Sequence, residues 1–266
     1  MSARLGFGAQ ALLLGLLYLF LYAPIAYIIY VSFQNDSIWP FPPDFTLAHF
    51  ESLLEQRDYK AGFWNSLTIA TGTGLISSLF ATMAAMTILK YRVRGRGAVA
   101  GLFLSPLFIA NILIGISSLL FNKSLLGMPG SVLAAILANS TYATAFAFLV
   151  VIAQLARYDW RLDEAALVFG ATPRAAFMEV TLPLIWPAIF GAFVVSFLLA
   201  FNNLDISFYN LGATPTLPTL AWGSLRHGVS QELYAMAALI NFGVFAILAG
   251  LYAMLRAGLL KLDYKE

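Results

Sequence analysis

The stretch Asp163-Glu164-Ala165-Ala166-Leu167-Val168-Phe169-Gly170, followed by Val180-Thr181-Leu182-Pro183, is a polar loop in an otherwise apolar chain. Asp163 reads as the cap of a short helix starting near Glu164, with both carboxylates at its positive end. Gly170 is a stop. Thr172-Pro173 restarts a helix, since threonine caps well and proline is tolerated at the first helical position. That second helix is expected to end before Pro183, which lacks the N–H needed to continue the ladder. Residues 156–186 thus read as a helix-turn-helix exposed between two apolar segments. Ala165 and Ala166 permit close approach, Phe169 offers an apolar anchor, and Glu164 and Arg174 offer charge at the edge. Two readings follow: docking of the helix in a groove of a soluble partner, or an ordinary loop packed on the ends of neighbouring helices.

Outward from this loop, the chain reads as membrane-embedded. Of 266 residues, 61% are hydrophobic and only 11% charged, and the mean hydropathy is +0.82, beyond what a soluble core of this size requires. Uncharged stretches of spanning length lie at roughly 8–32, 61–89, 98–121, 131–155, 187–207 and 233–255. The first follows Arg4 but runs past the length of a signal-peptide core, so it reads as a retained span. The expected fold class is therefore all-α, a polytopic membrane protein of six helices in a single domain, residues 1–266, with 156–186 as a loop within it.

Basic residues set the orientation. With the N-terminus inside, the inner segments hold Arg4, Lys90, Arg92, Arg94, Arg96, Arg157, Arg161, Arg174, Arg256, Lys261 and Lys265, eleven of the fifteen Lys and Arg. The outer segments hold Arg57, Lys60, Lys123 and Arg226, while Asp36, Asp44, Glu51, Glu55 and Asp58 make the first outer loop acidic. Both termini and the 156–186 loop then face the cytoplasm. Trp39, Trp64, Tyr91, Trp160 and Trp186 read as interfacial anchors. The Lys90–Arg96 cluster reads as a topology determinant in contact with anionic lipid, and nucleic acid is not an expected partner.

Chemistry-bearing residues inside the spans are few. Asn202, Asn203 and Asp205, near the end of the fifth stretch, are the candidates for lining a solute pathway, since polar groups at membrane depth face the interior or a water-filled cavity. Each has a structural alternative: helix capping or solvation for Asp205, interhelical hydrogen bonding for the two amides. Pro106 and Asn111 mark an expected kink. The segment from Thr214 to Gly228 is too interrupted for a normal span and reads as a re-entrant or surface helix, or as plain loop. His49 and His227 lack partners at metal-ligand spacing, there is no cysteine, and no catalytic or metal constellation is expected. A secondary transporter would need its own buried coupling residues, and an intramembrane enzyme would need a catalytic group. Both are disfavoured.

The spacing Glu164-Ala165-Ala166, three residues, Gly170, nine residues, Val180, one residue, Leu182-Pro183 resembles the signature loop of ABC-type importer permeases, with valine where isoleucine is commoner. Within that family, Tyr91-Arg92-Val93-Arg94-Gly95, Ser196-Phe197 and Thr216-Leu217-Pro218 resemble the second permease subunit of spermidine/putrescine importers. The resemblance implies a type I importer fold in a bacterial cytoplasmic membrane and a second permease subunit as partner. It also implies two ATP-binding subunits, which carry the ATP and Mg, and an external solute-binding protein. Asp163, Glu164, Ala165, Ala166, Phe169, Gly170 and Arg174 would form the ATPase-coupling element. This agrees with the lack of a phosphate-binding G-x-x-x-x-G-K-[ST] motif, so no cofactor is expected on this chain. Phe201-Asn202-Asn203-Leu204-Asp205 departs from the polyamine pattern, having amides where acidic residues are common. The expected solute is a small cationic polyamine-like compound, with an amino acid-like compound, a phosphonate or a sugar as alternatives.

Overall fold

In the computed structural model, residues 2–36, 41–91, 93–228 and 230–256 are described. Trp39, Arg92, Lys261 and Lys265 lie outside them. The elements are α1 (Ser2–Ser32), α2 (Ala48–Glu55), α3 (Arg57–Leu89), α4 (Arg96–Leu104), a 3-10 turn (Ser105–Phe108), α5 (Asn111–Ser124), α6 (Val132–Leu155), α7 (Arg161–Val168), α8 (Pro173–Ala175), a π turn (Ala176–Thr181), α9 (Leu182–Phe201), α10 (Asp205–Asn210), α11 (Leu217–His227) and α12 (Gln231–Arg256). Among the described residues the architecture is all-α, with one isolated bridge between Gln34 and Phe45.

Four helical stretches are long and apolar enough to cross a membrane by themselves: Gly8–Ser32, Arg57–Leu89, Val132–Leu155 and Pro173–Phe201. A fifth arises if Arg96–Phe108 and Asn111–Ser124 form one broken span. The expected kink at Pro106 and Asn111 is thus a break, with a bend of 106° between the two halves. The 3-10 turn places Pro106 early in its helix, where the missing N–H costs little. The fifth apolar stretch also differs from its expected bounds. The continuous helix there begins at Pro173 and stops at Phe201, and Asp205–Asn210 form the separate α10. His49 lies on α2.

The chain forms two compact units, residues 1–57 with 223–266, and residues 58–222. In the first, Phe33 packs against Phe50 of α2 and Phe242 of α12, with ring centroids 5.0 and 6.4 Å away. The connection after α1 is pinned by Asn35 N–H to Asp44 O and Thr46 N–H to Phe33 O.

The second unit is held together by small residues. Between apolar helices in lipid no hydrophobic gain remains, so close backbone approach and interhelical hydrogen bonds decide packing. Ala188, Ala192, Ser196 and Ala200 recur every fourth residue on α9 and are all buried. They form the seam against α6, whose Ala143 carbonyl accepts from Ser196 Oγ at 3.4 Å. Gly74 of α3 lies where a methyl group would come within 2.8 Å of the Phe193 ring. Toward the 156–186 loop the seam widens into an apolar cluster of Ala81, Ala85, Ile88, Phe148, Val151, Leu155 and Ile185.

Candidate functional site: an exposed helix on a buried carboxylate, and a polar cleft

The structure forms the helix-turn-helix with a different start and a different second half. α7 begins at Arg161, two residues before the expected cap. The cap position falls to Trp160, whose side chain makes no cap bond, and Asp159 Oδ1 just before it accepts from the Arg161 N–H at 3.1 Å. At the other end Gly170 N–H reaches Leu167 O and Ala171 N–H reaches Ala166 O, the paired bonds of a Schellman cap. That cap demands a left-handed residue, and Gly170 has φ +92°. Thr172 then accepts from Ala175 N–H at 3.2 Å, as its sequence position implies.

The second helix does not end before Pro183. It runs from Pro173 to Phe201 without interruption. Proline lacks an N–H for the carbonyl four residues earlier and its ring crowds that carbonyl. The six residues Ala176–Thr181 absorb this by widening to a π turn, and Leu182 N–H reaches back to Phe177 O. Such widened turns are rare and concentrate at functional sites.

The surface of α7 is divided. Glu164, Ala165, Phe169, Gly170 and Arg174 are exposed, and Ala166 is half-buried. Val168 and Phe169 stand 84% and 91% exposed, two adjacent apolar side chains at the tip. Asp163 is the opposite, with only 5% of its surface accessible. Its Oδ2 accepts from Lys90 Nζ at 2.5 Å. Its Oδ1 accepts from Tyr158 Oη at 2.7 Å and Thr181 Oγ1 at 2.8 Å. Lys90 also lies over the Trp160 ring, 5.4 Å from its centroid.

Burial works against the ionised form of Asp163, but hydrogen bonds from Lys90, Tyr158 and Thr181, with the lysine charge, outweigh it and hold the carboxyl below the usual carboxylate range. Burial, and then donation to that carboxylate, push Tyr158 up to about 12. A carboxylate satisfied this way is stable. Stripped of its cation it would cost on the order of 3–5 kcal/mol. Nothing in the spacing of Lys90, Tyr158 and Thr181 reveals that they converge on residue 163, and the sequence reading gave Lys90 only a topological and lipid-facing role.

The second site is a cleft of about 560 Å³ lined by Asn111, Tyr142, Leu198, Leu199, Asn202, Asn203, Leu204 and Asp205. All three sequence candidates for a solute pathway therefore line one space. The break in the third apolar stretch adds Asn111, which the sequence marked only as part of a kink. Tyr142, of α6, was missed, although a phenol in an apolar span is itself a polar signal.

The two amides bond locally rather than between helices. Asn202 Nδ2 donates to Leu198 O at 3.0 Å. Asn203 Oδ1 accepts from Ile206 N–H at 2.8 Å and so caps the start of α10. Interhelical bonding falls instead to Asn210, which donates to Gly115 O at 3.1 Å and accepts from Asn122 at 3.2 Å, and to Asn139, which donates to Ser207 Oγ at 3.2 Å. These bonds fix α10 against α5 and α6. Asp205 is the first residue of α10 and is exposed to the cleft. The site can therefore offer one carboxylate, three amides and a phenol. Among the described residues no cluster of potential metal ligands occurs.

Four helices long and apolar enough to cross a membrane, with a bent pair that makes a fifth if it is one span, define a multi-pass membrane protein. A solved bacterial ABC transporter that imports the acidic polysaccharide alginate superposes with a TM-score of 0.72 over 97% of both chains, at 18% identity. No protein-family model matches the chain. The putrescine transport system permease protein PotI of Escherichia coli K12 is 32% identical over 255 residues, 92% of this chain and 90% of that one. The spermidine/putrescine transport system permease protein PotC of the same strain is 27% identical over 225 residues, 84% of this chain and 85% of that one. The chain belongs to the ABC-importer permease family of the polyamine type and is a multi-pass membrane protein.

Proposed function

We propose that this chain is one of two permease subunits of an ATP-driven importer in a bacterial cytoplasmic membrane. It forms half of the solute path and docks an ATPase subunit through the exposed face of α7. The observation that carries this is the 32% identity to a putrescine-system permease across 92% of the chain. The exposed Val168 and Phe169 at the tip of a capped helix support the docking surface, because an apolar pair held out from the fold fits a groove in a partner. ATP and Mg are held by two partner subunits, and a separate binding protein delivers solute. The topology has six spans, with α12 as the last and both termini on the ATPase side, a reading that the distribution of basic residues supports.

The solute is a small organic amine. Asp205 attracts its ammonium group, and Asn111, Asn202 and Tyr142 accept or donate hydrogen bonds around it. One observation favours a second reading within the same class: the cleft has a single carboxylate beside neutral amides, which suits a solute with one positive charge or none better than a polycation. The deciding experiment is uptake of labelled putrescine, spermidine and a neutral analogue by proteoliposomes of the complete importer. ATP-dependent uptake of the amines supports the reading. Uptake by this chain alone, without an ATPase, would overturn it.

A further inference from the structure

We propose that Asp163 is a force-transmitting joint, a positioning residue that ties α7 both to the end of α3 through Lys90 and to the root of α9 through Thr181. The inference rests on the importer reading above, and it gives this residue a task different from docking.

Its position excludes direct contact with a partner. Asp163 is the only buried residue of α7, and the exposed side of that helix carries Glu164, Val168 and Phe169. α7 packs against the π turn, and Asp163 is its one fully buried side chain. Its carboxylate is therefore the polar tie between that helix and the rest of the unit. Three donors from three other places meet there: Lys90 at the end of α3, Tyr158 in the α6–α7 connection, and Thr181 in the π turn.

The geometry divides the carboxylate between two loads. Oδ2 takes the lysine, whose ammonium is backed by the Trp160 ring, itself packed edge-on to Tyr158 at 4.7 Å. Oδ1 takes Thr181, the last residue of a turn whose ladder is already opened by Pro183. An opened turn is the most compliant part of a long helix. Without a side tie, displacement of α7 would be absorbed there, and α9 would stay where it was. With the tie, α3, α7 and α9 move as one body, and α9 carries Asn202 at its far end, on the cleft.

The test uses the complete importer reconstituted with cysteine-free partner subunits. The chain has no native cysteine, so Lys90→Cys/Asp163→Cys gives a unique thiol pair. The ATPase subunits are expected to co-purify as with the unaltered chain, while solute moved per ATP hydrolysed falls about tenfold or more. A short bis-thiosulfonate linker between the two thiols restores the ratio, and reduction abolishes it again. An unchanged ratio before linking, or one that linking does not raise, overturns the joint. Should the double variant be lost from the membrane, Lys90→Met at the more exposed partner carries the same test, with a tenfold fall for the joint and an unchanged ratio against it. An unaltered chain that binds no ATPase overturns the importer reading, and the joint with it.

Discussion

Gly115 of α5 lies directly against the backbone of Asp205, so that a methyl group at position 115 would come within 3.1 Å of the Asp205 carbonyl oxygen and 3.2 Å of the Ile206 Cα. The neighbours it would meet are mostly backbone, and they cannot swing aside. The absence of one side chain on α5 therefore sets where α10 sits and where the carboxylate of Asp205 projects. Overpacking of this kind costs about 1–3 kcal/mol, and the strain is relieved by displacing α10. Gly115→Ala is expected to lower solute uptake about tenfold and Gly115→Leu to abolish it, with membrane insertion and ATPase binding retained. Transport assays on the reconstituted importer check this; full activity in the leucine variant would show that α10 does not position the cleft.

Asp205→Asn separates the electrostatic part of the cleft from its shape. The carboxylate makes no hydrogen bond with any other described residue and faces the open space, so its replacement leaves the fold intact. Removing the charge is expected to raise the half-saturation concentration for a cationic solute about tenfold. A neutral solute of similar size is expected to change little. Equal effects on both would remove Asp205 from solute recognition.

Gly170 makes the complementary test at the loop. A Cβ added there meets nothing within 4 Å, so space is not the difficulty; the φ of +92° is. A side chain in left-handed backbone costs about 1–2 kcal/mol, enough to melt the two bonds of the cap and release Phe169 from its position at the tip. Gly170→Val is expected to reduce co-purification of the ATPase subunits while leaving the chain in the membrane. Phe169→Asp is expected to do the same with the cap intact. Retention of the ATPase by both variants would place the docking surface elsewhere.

These residues also show where sequence reading stops. Gly170 and Thr172-Pro173 were legible because capping is local: each needs only neighbours a few positions away. Five of the six apolar stretches were legible for the same reason, four as single long helices and one as a bent pair, and the 106° break between α4 and α5 was foreshadowed by Pro106. The exit of α9 through Pro183 was not, because the remedy is a π turn, and no local rule chooses between ending a helix and widening it. Asp163 was misplaced as a cap because a carboxylate before a helical run has that meaning unless a distant cation claims it. The cation is Lys90, seventy-three positions away. The seam of Ala188, Ala192, Ser196 and Ala200 was present in the sequence as a four-residue repeat of small side chains, masked by the larger residues between them.

The buried cluster gives a pH signature. Tyr158 has its folded value raised from 10.0 to about 12. The unfolded chain therefore loses this proton first, and the stability that Tyr158 contributes is complete below pH 10 and is lost as pH rises through about 12. Asp163 works in the other direction. Its folded value is lowered from 3.8, so its contribution is complete above that value and is lost as pH falls through the folded one. Between these limits Tyr158 and Asp163 are each expected to keep one protonation state. In a spectroscopic titration of the detergent-solubilised chain, Tyr158 is expected to ionise late, near pH 12, and Tyr158→Phe is expected to remove a component there. Thermal unfolding supplies the acid limb: the unaltered chain is expected to lose stability below pH 4 more steeply than Asp163→Asn, which has no proton to take up at that position. A titration in which Tyr158→Phe deletes an ordinary component near pH 10 would mean that the phenol is not bonded to the carboxylate, and the convergence of Lys90, Tyr158 and Thr181 on Asp163 would fail with it.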